Sequence, residues 1–184
     1  MTAAAVLERP YPFRSERKVI YANTSGVCTL QCPYCFTNQL KGKDCLGKRD
    51  FEAIFRLLGE NIFFIFSGVG DFFAGYRKSE RLLEYILAHD VSLFLDFNGV
   101  LVHELPEIAG AHLDKFRFLD ISFHYSAMKE KNLLDLWTHN AAAVSRTLPH
   151  DRLIFKTIFT RREMELWPEI LQFYESKVYP LTGK

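Results

Sequence analysis

The stretch NIFFIFSGVGDFFAGYRKSERLLEYILAHDVSLFLDFNG, residues 61–99, contains two apolar runs, Ile62 to Phe66 and Val91 to Phe97. Both are short and rich in β-branched and aromatic residues, which favours strands. Between them Leu82, Leu83, Ile86 and Leu87 recur at helical spacing behind Ser79, whose hydroxyl suits the start of a helix. Asn98-Gly99 then ends the second run as a turn. Two strands separated by a helix rather than a tight turn make a βαβ unit, and its strands run parallel.

The alternation continues on both sides. Upstream, a strand from about Val19 to Asn23 leads through a loop to a helix from Asp50 to about Gly59. There Asp50 accepts from the first free amides, Phe51, Ile54, Phe55 and Leu58 share a face, and Gly59 suits the left-handed position that ends a helix. Downstream come a short helix near His103 to Leu113, a strand from about Arg117 to Phe123, and a longer helix with Leu133, Trp137, Val144 and Leu148 toward the core. A fifth strand, Leu153 to Phe159, precedes a helix from about Glu163 to Lys177, with Trp167, Ile170, Leu171 and Tyr174 in register and Pro168 confined to its first turns. These units predict an α/β fold, a TIM-barrel-like partial (β/α) barrel of five to six parallel strands. A closed eight-stranded barrel takes at least about 200 residues. The core domain is expected over residues 18–178, between an N-terminal extension at 1–17 and a C-terminal tail at 179–184, with its active face at the C-terminal ends of the strands.

Of the 184 residues 48% are apolar, including 17 Phe, against 10 Gly and 7 Pro, which supports one domain with a substantial core and excludes general disorder. With 23 Lys plus Arg against 22 Asp plus Glu the net charge is +1, so no broad basic field exists for nucleic acid or an anionic membrane. The apolar runs fall far short of the ~20 residues of a membrane span. The opening MTAAAVLERPYPF lacks the basic and apolar regions of a secretion signal, and the chain reads as cytoplasmic.

Directly after the first strand comes CTLQCPYCF, which sets Cys28, Cys32 and Cys35 at the spacing C-x3-C-x2-C. Three thiols crowded into one loop suit a metal better than a disulfide framework. They can hold three corners of a [4Fe-4S] cube and leave one iron open to a small molecule. A structural zinc site is the competing reading, with Cys45 as the fourth thiolate of a tetrahedral set. The CPYC pair alone also reads as a redox dithiol, which leaves Cys28 without a purpose.

The loop after a first strand, the cysteine spacing and the aromatic Tyr34 beside the last cysteine resemble the radical S-adenosylmethionine (radical SAM) superfamily, and the likeness covers roughly residues 18 to 178 in order. FSGVGD stands where that family carries a Gly-Gly-Glu-Pro-like segment against the methionine amino group. Ser67, Gly68, Val69 and Gly70 keep its small, backbone-exposing character, although Val69 replaces the second Gly, Asp71 stands for the acid and no Pro follows. DFNGVL resembles the family's Thr-Asn-Gly turn through Asn98 and Gly99. DISFHYS, with Ser122 and His124, resembles the segment near ribose and carboxylate, and LIFKTIFTRREMELWPEILQFY looks like the fifth strand and following helix.

The resemblance implies a [4Fe-4S] cluster on Cys28, Cys32 and Cys35, with S-adenosyl-L-methionine at the open iron. Tyr34, Ser67, Gly68, Val69, Gly70, Asp96, Asn98, Ser122 and His124 are the expected cofactor contacts. It further implies an external one-electron reductant of the flavodoxin or ferredoxin type, and a 5′-deoxyadenosyl radical that takes hydrogen from an unidentified substrate.

Plainer readings stand beside these. His124 shares a strand face with Asp120 and Ser122, which fits a hydrogen-bonded core histidine as well as a catalytic or cofactor contact. Lys156, the other catalytic candidate, sits in mid-strand and needs a partner, either a ligand carboxylate or Asp96 or Asp120. For the whole chain the alternative is a metal-stabilised binding module, four-cysteine zinc or iron-sulfur, without turnover. The side beyond the fifth strand lacks an obvious covering strand, which invites a macromolecular substrate or a second chain. The other outcome is a small substrate enclosed near His124, Tyr125 and Lys156.

Overall fold

The computed structural model describes residues 17–35, 45–75 and 81–182. Five strands, β1 (Lys18–Ala22), β2 (Ile62–Phe66), β3 (Val91–Phe97), β4 (Phe116–Phe123) and β5 (Leu153–Thr157), form one sheet in the order β1-β2-β3-β4-β5. Every pairing is parallel, and the sheet is not closed. The fold is therefore the expected α/β architecture, consistent with a partial barrel. Strands added in sequence order through right-handed crossovers place the helices on one face and leave the other as the concave interior.

The helices are α1 (Lys48–Leu58), α2 (Leu82–Leu87), α3 (Leu105–Ala111), α4 (Tyr125–Glu130), α5 (Leu134–Ser145), α6 (Arg161–Glu165) and α7 (Trp167–Phe173). Aromatic packing fixes them to the sheet. Phe51 and Phe55 of α1 meet Phe64 of β2 at ring separations of 5.4 and 5.9 Å, and fully buried Trp137 of α5 lies 4.6 Å from Phe123 of β4. Such pairs add to the area they bury.

Two helices start or run differently from the sequence reading. Helix α1 begins at Lys48, two residues before Asp50, which instead sits in the first turn and accepts from the Gly47 N–H at 2.8 Å. A carboxylate there satisfies the amide preceding the helix as well as a cap at position 50 would satisfy later ones. The expected helix from Glu163 to Lys177 divides into α6 and α7, followed by a wide turn over Tyr174–Val178 and a 3-10 turn over Tyr179–Thr182. Pro168 has no N–H to give to the carbonyl four residues back, so α6 stops at Glu165 and Pro168 occupies the first turn of α7. Ser79, expected to cap α2, lies outside the described residues. No helix among the described residues is long and apolar enough to cross a membrane.

The loop after β2 is pressed against the loop after β1. Asn23 follows β1, and its amide nitrogen reaches the Val69 carbonyl at 2.8 Å. The Asp71 N–H donates to the Val27 carbonyl at 2.7 Å, and Gly70, at φ +72°, has no room for a side chain because a Cβ would stand 2.3 Å from the Ser25 oxygen. Gly70→Ala therefore incurs both a left-handed backbone cost and a clash with backbone, and should lower stability by at least about 2 kcal/mol. Gly68→Ala, with open space around its Cβ, should cost less. Urea unfolding of both variants checks this, and equal midpoints for the two would show that the loops are not locked at Gly70.

Candidate functional site

Alternation along parallel strands puts one residue in two on the concave face. Phe64 and Phe66 of β2 meet the helices, so Ser67 at the strand's end turns the other way. The register pairs Phe66 with Leu95 and Asp96 with Asp120, and carries Ser122 opposite Lys156. Ser67, Asp96, Asp120, Ser122 and Lys156 thus gather on one face at the C-terminal end of the sheet. Strand periodicity alone accounts for that polar wall.

Its bonds are explicit. Asp96 Oδ2 accepts from Ser67 Oγ at 2.9 Å and from Lys156 Nζ at 2.8 Å, while Oδ1 accepts from Ser122 Oγ at 3.1 Å. Lys156 also reaches Asp120 Oδ2 at 3.0 Å, so one ammonium serves two carboxylates. Burial pulls the Lys156 ammonium down, but the bonds and charges of Asp96 and Asp120 outweigh it and hold Lys156 above its ordinary value. Asp120 is pushed up, first by burial and then by the Asp96 charge, against the pull of Lys156, and its Oδ1 is buried without a hydrogen-bond partner among the described residues. Lys156 thus has the protein partners that the plainer sequence reading required.

This wall borders a cavity of about 350 Å³. Cys28, Cys32, Tyr34 and Cys35 enclose it from the loop after β1. Ser67, Gly68 and Gly70 border it after β2, Asp96 and Asn98 at β3, Ser122 and His124 at β4, and Lys156 at β5. Of the sequence-derived site residues only Val69 stands apart, beside a small adjoining cavity of about 20 Å³. Cys45 is exposed and borders a different cavity, of about 760 Å³, beside α1.

The cysteine loop is held from β3. Asn98 Nδ2 donates to Cys28 Sγ at 3.5 Å and to Thr29 Oγ1 at 3.1 Å, while its Oδ1 accepts from the Val100 N–H at 2.9 Å. Its own N–H donates to Asp71 Oδ2 at 2.6 Å, and Asp71 Oδ1 takes the N–H groups of Phe73 and Ala74 at 3.0 and 3.1 Å. The acid of the FSGVGD segment is thus occupied by backbone amides. Cys32 is buried, and burial, then the neighbouring Cys28 and Cys35, push its thiol up against a lowering hydrogen bond from Tyr34. Among the described residues no group of three or more His, Cys, Asp or Glu converges on a single-ion site. A cube-shaped cluster takes each thiolate on a different iron, and three sulfur donors bordering one cavity are the donor chemistry it requires.

The far wall holds residues the sequence reading missed. Tyr34 Oη lies 3.1 Å from His124 Nδ1, with the rings stacked at 6.0 Å. Behind them Ser126 Oγ donates to Glu163 Oε1, and Thr160 Oγ1 donates to Glu163 Oε2. Glu163 is fully buried. Burial raises its carboxyl, but the Ser126 and Thr160 bonds and the helix-start amides outweigh that and hold it below the ordinary range. The sequence signal was present, since Thr160-Arg161-Arg162-Glu163 is a capping-box pattern, and the Glu163 N–H does donate to Thr160 Oγ1 at 3.4 Å.

Compared with known protein families and with curated proteins, the chain matches no family model and no curated sequence.

Asp71→Asn should destabilise the chain by about 1–3 kcal/mol, since an amide nitrogen placed at Oδ2 would face the Asn98 N–H. Burial, against the pull of the Asn98, Ala74 and Phe73 amides, pushes the Asp71 carboxyl from 3.8 up to about 6. Between those values the folded chain holds a proton the unfolded chain has lost. The contribution of Asp71 to stability therefore falls as pH rises through that window and is level above it. The stability gap between parent and variant, measured by urea unfolding from pH 4 to 7, should narrow up to about pH 6. A gap that widens with pH would overturn this assignment.

Proposed function

We propose that this chain is the core of a radical SAM enzyme, and the observation that carries the reading is the cavity's composition. Cys28, Cys32 and Cys35 border the same space as the strand-end residues Ser67, Asp96, Asn98, Ser122, His124 and Lys156, while Cys45 borders another. When bound, the [4Fe-4S] cluster supplies an electron, drawn from an external reductant of flavodoxin or ferredoxin type, that cleaves S-adenosylmethionine to methionine and a 5′-deoxyadenosyl radical.

In this reading the chain's residues bind and orient. Cys28, Cys32 and Cys35 would hold the cluster, and Asn98, whose amide donates to Cys28 Sγ, would steady the first of them. The Ser67–Gly70 turn offers backbone and small side chains to an amine, with the Asp96 carboxylate beside it. Lys156, fixed by Asp96 and Asp120, has a third donor for a carboxylate or hydroxyl. Ser122 and His124 line the side assigned to ribose or carboxylate, and Tyr34 borders the cavity with the cysteines. Excluding water there protects a reactive radical. The substrate is a separate molecule that donates hydrogen.

Single Ala substitutions with anaerobic reconstitution test the reading. The parent and Cys45→Ala should each take up about four iron and four sulfide per chain, and Cys28→Ala, Cys32→Ala and Cys35→Ala should lose most of it. One tightly held zinc that depends on all four cysteines would instead identify a metal-stabilised binding module.

A further inference from the structure

The side chain of Asn98 has one way to point. Its Oδ1 accepts from the Val100 N–H at 2.9 Å, so its amide nitrogen is turned toward the loop after β1. There the two protons of the NH2 group meet two acceptors, Thr29 Oγ1 at 3.1 Å and Cys28 Sγ at 3.5 Å. Exchanging the amide's oxygen and nitrogen would set the NH2 group against the Val100 N–H, so the network itself assigns the orientation. The backbone is fixed as well, since the Asn98 N–H donates to Asp71 Oδ2 at 2.6 Å and the residue is only 5% exposed.

A preset donor at this sulfur has a consequence for redox chemistry. An added electron raises the negative charge on the sulfurs of an iron-sulfur cluster, and a hydrogen bond to one of them grows stronger with that charge. The bond therefore favours the reduced state over the oxidised one. A donor on an unconstrained side chain would have to be ordered as the charge arrives, whereas here folding has already aimed it. What faces the sulfur is also a neutral amide. The carboxylate behind it, Asp71, has its charge met by the N–H groups of Phe73, Ala74 and Asn98.

We propose that Asn98 is the positioning residue that, through Cys28, makes the cluster easier to reduce and so matches it to an external carrier of the flavodoxin or ferredoxin type. One electron passes from the carrier to the cluster, no covalent bond forms or breaks, and the proton stays on Asn98 Nδ2. The inference rests on the function proposed above, because it requires the cluster on Cys28, Cys32 and Cys35. It adds that one uncharged side chain sets how readily that cluster takes an electron.

The test is the midpoint potential of the reconstituted cluster, measured anaerobically on the full chain without S-adenosylmethionine, with iron and sulfide counted in every sample. Asn98→Asp keeps an oxygen for the Val100 N–H and replaces the donor with an acceptor. Asn98→Leu removes the donor at similar volume and adds no charge. Both should move the midpoint to more negative potential, Asn98→Asp further. For Asn98→Asp the ratio of reduced to oxidised cluster at a fixed potential should fall about tenfold, a shift of about 59 mV for one electron. Thr29→Val removes the other acceptor of the same NH2 group and leaves the contact to sulfur, so its midpoint should stay with the parent. If Asn98→Leu fails to fold, Asn98→Asp against Thr29→Val still decides. Loaded Asn98 variants with the parent's midpoint overturn this inference and leave the enzymatic reading standing, and so does an equal shift in Thr29→Val. A folded Asn98→Asp chain that cannot retain the cluster would also overturn it, by showing that Asn98 only holds the loop. A parent chain that takes up no cluster removes both readings.

Discussion

The Asp71 carboxylate joins three segments that are distant in sequence. Through Phe73 and Ala74 it shapes the turn after β2, and through the Asn98 N–H it fixes the end of β3. The Asn98 side chain in turn holds the cysteine loop at Cys28 and Thr29. A buried carboxylate with no cation beside it is costly unless amides replace the water it has lost, and three do so here. The position of the cysteines relative to the sheet thus depends on one side chain that acts on their loop through Asn98. Gly70 supplements it sterically, letting the two loops approach more closely than any Cβ would allow.

Much of this was legible in the sequence because it is periodic. Strand alternation placed Asp96 with Asn98, and Asp120 with Ser122 and His124, on shared faces, and the parallel order of the βα units brought those faces together. Lys156 was marked as needing partners because an ammonium in an apolar strand is costly, and its partners are the two carboxylates named for it. What the sequence hid is non-periodic. The role of Asp71 depends on how a glycine-containing turn folds back on the chain, and Glu163 reaches Ser126 across 37 positions. A capping box reports how a helix begins, not what its carboxylate meets on another element. The start of α1 and the division of the last helix were misjudged for a related reason. Each depends on which of several nearby residues satisfies a given amide, and propensity ranks those residues too closely to choose.

The cavity has two walls with different electrostatic designs. On the β3–β5 side, formal charges face one another, two carboxylates around one ammonium, which leaves an excess of negative charge if all are ionised. The raised Asp120 carboxyl relieves that excess by favouring its neutral form. On the Tyr34 side, charge is set back, with Glu163 fully buried and its two oxygens taken by the hydroxyls of Ser126 and Thr160. Hydroxyl donors of this kind compensate a buried carboxylate without presenting an ion to the ligand.

His124 stands where the two designs meet. Burial pulls its pKa down, Lys156 adds to that pull, and Asp96 and Glu163 oppose it without overcoming it, so the ring is held below its ordinary value. The ring's place is set by its hydrogen bond to Tyr34, whose oxygen lies 3.1 Å from Nδ1, and by the stacking of the two rings. The direction of the imidazole's pKa shift therefore follows from burial amid opposed charges, and its orientation from the cysteine loop that carries Tyr34. The separation matters for a site that must stay dry, because the ring can be held in place without carrying a charge that would draw water back in.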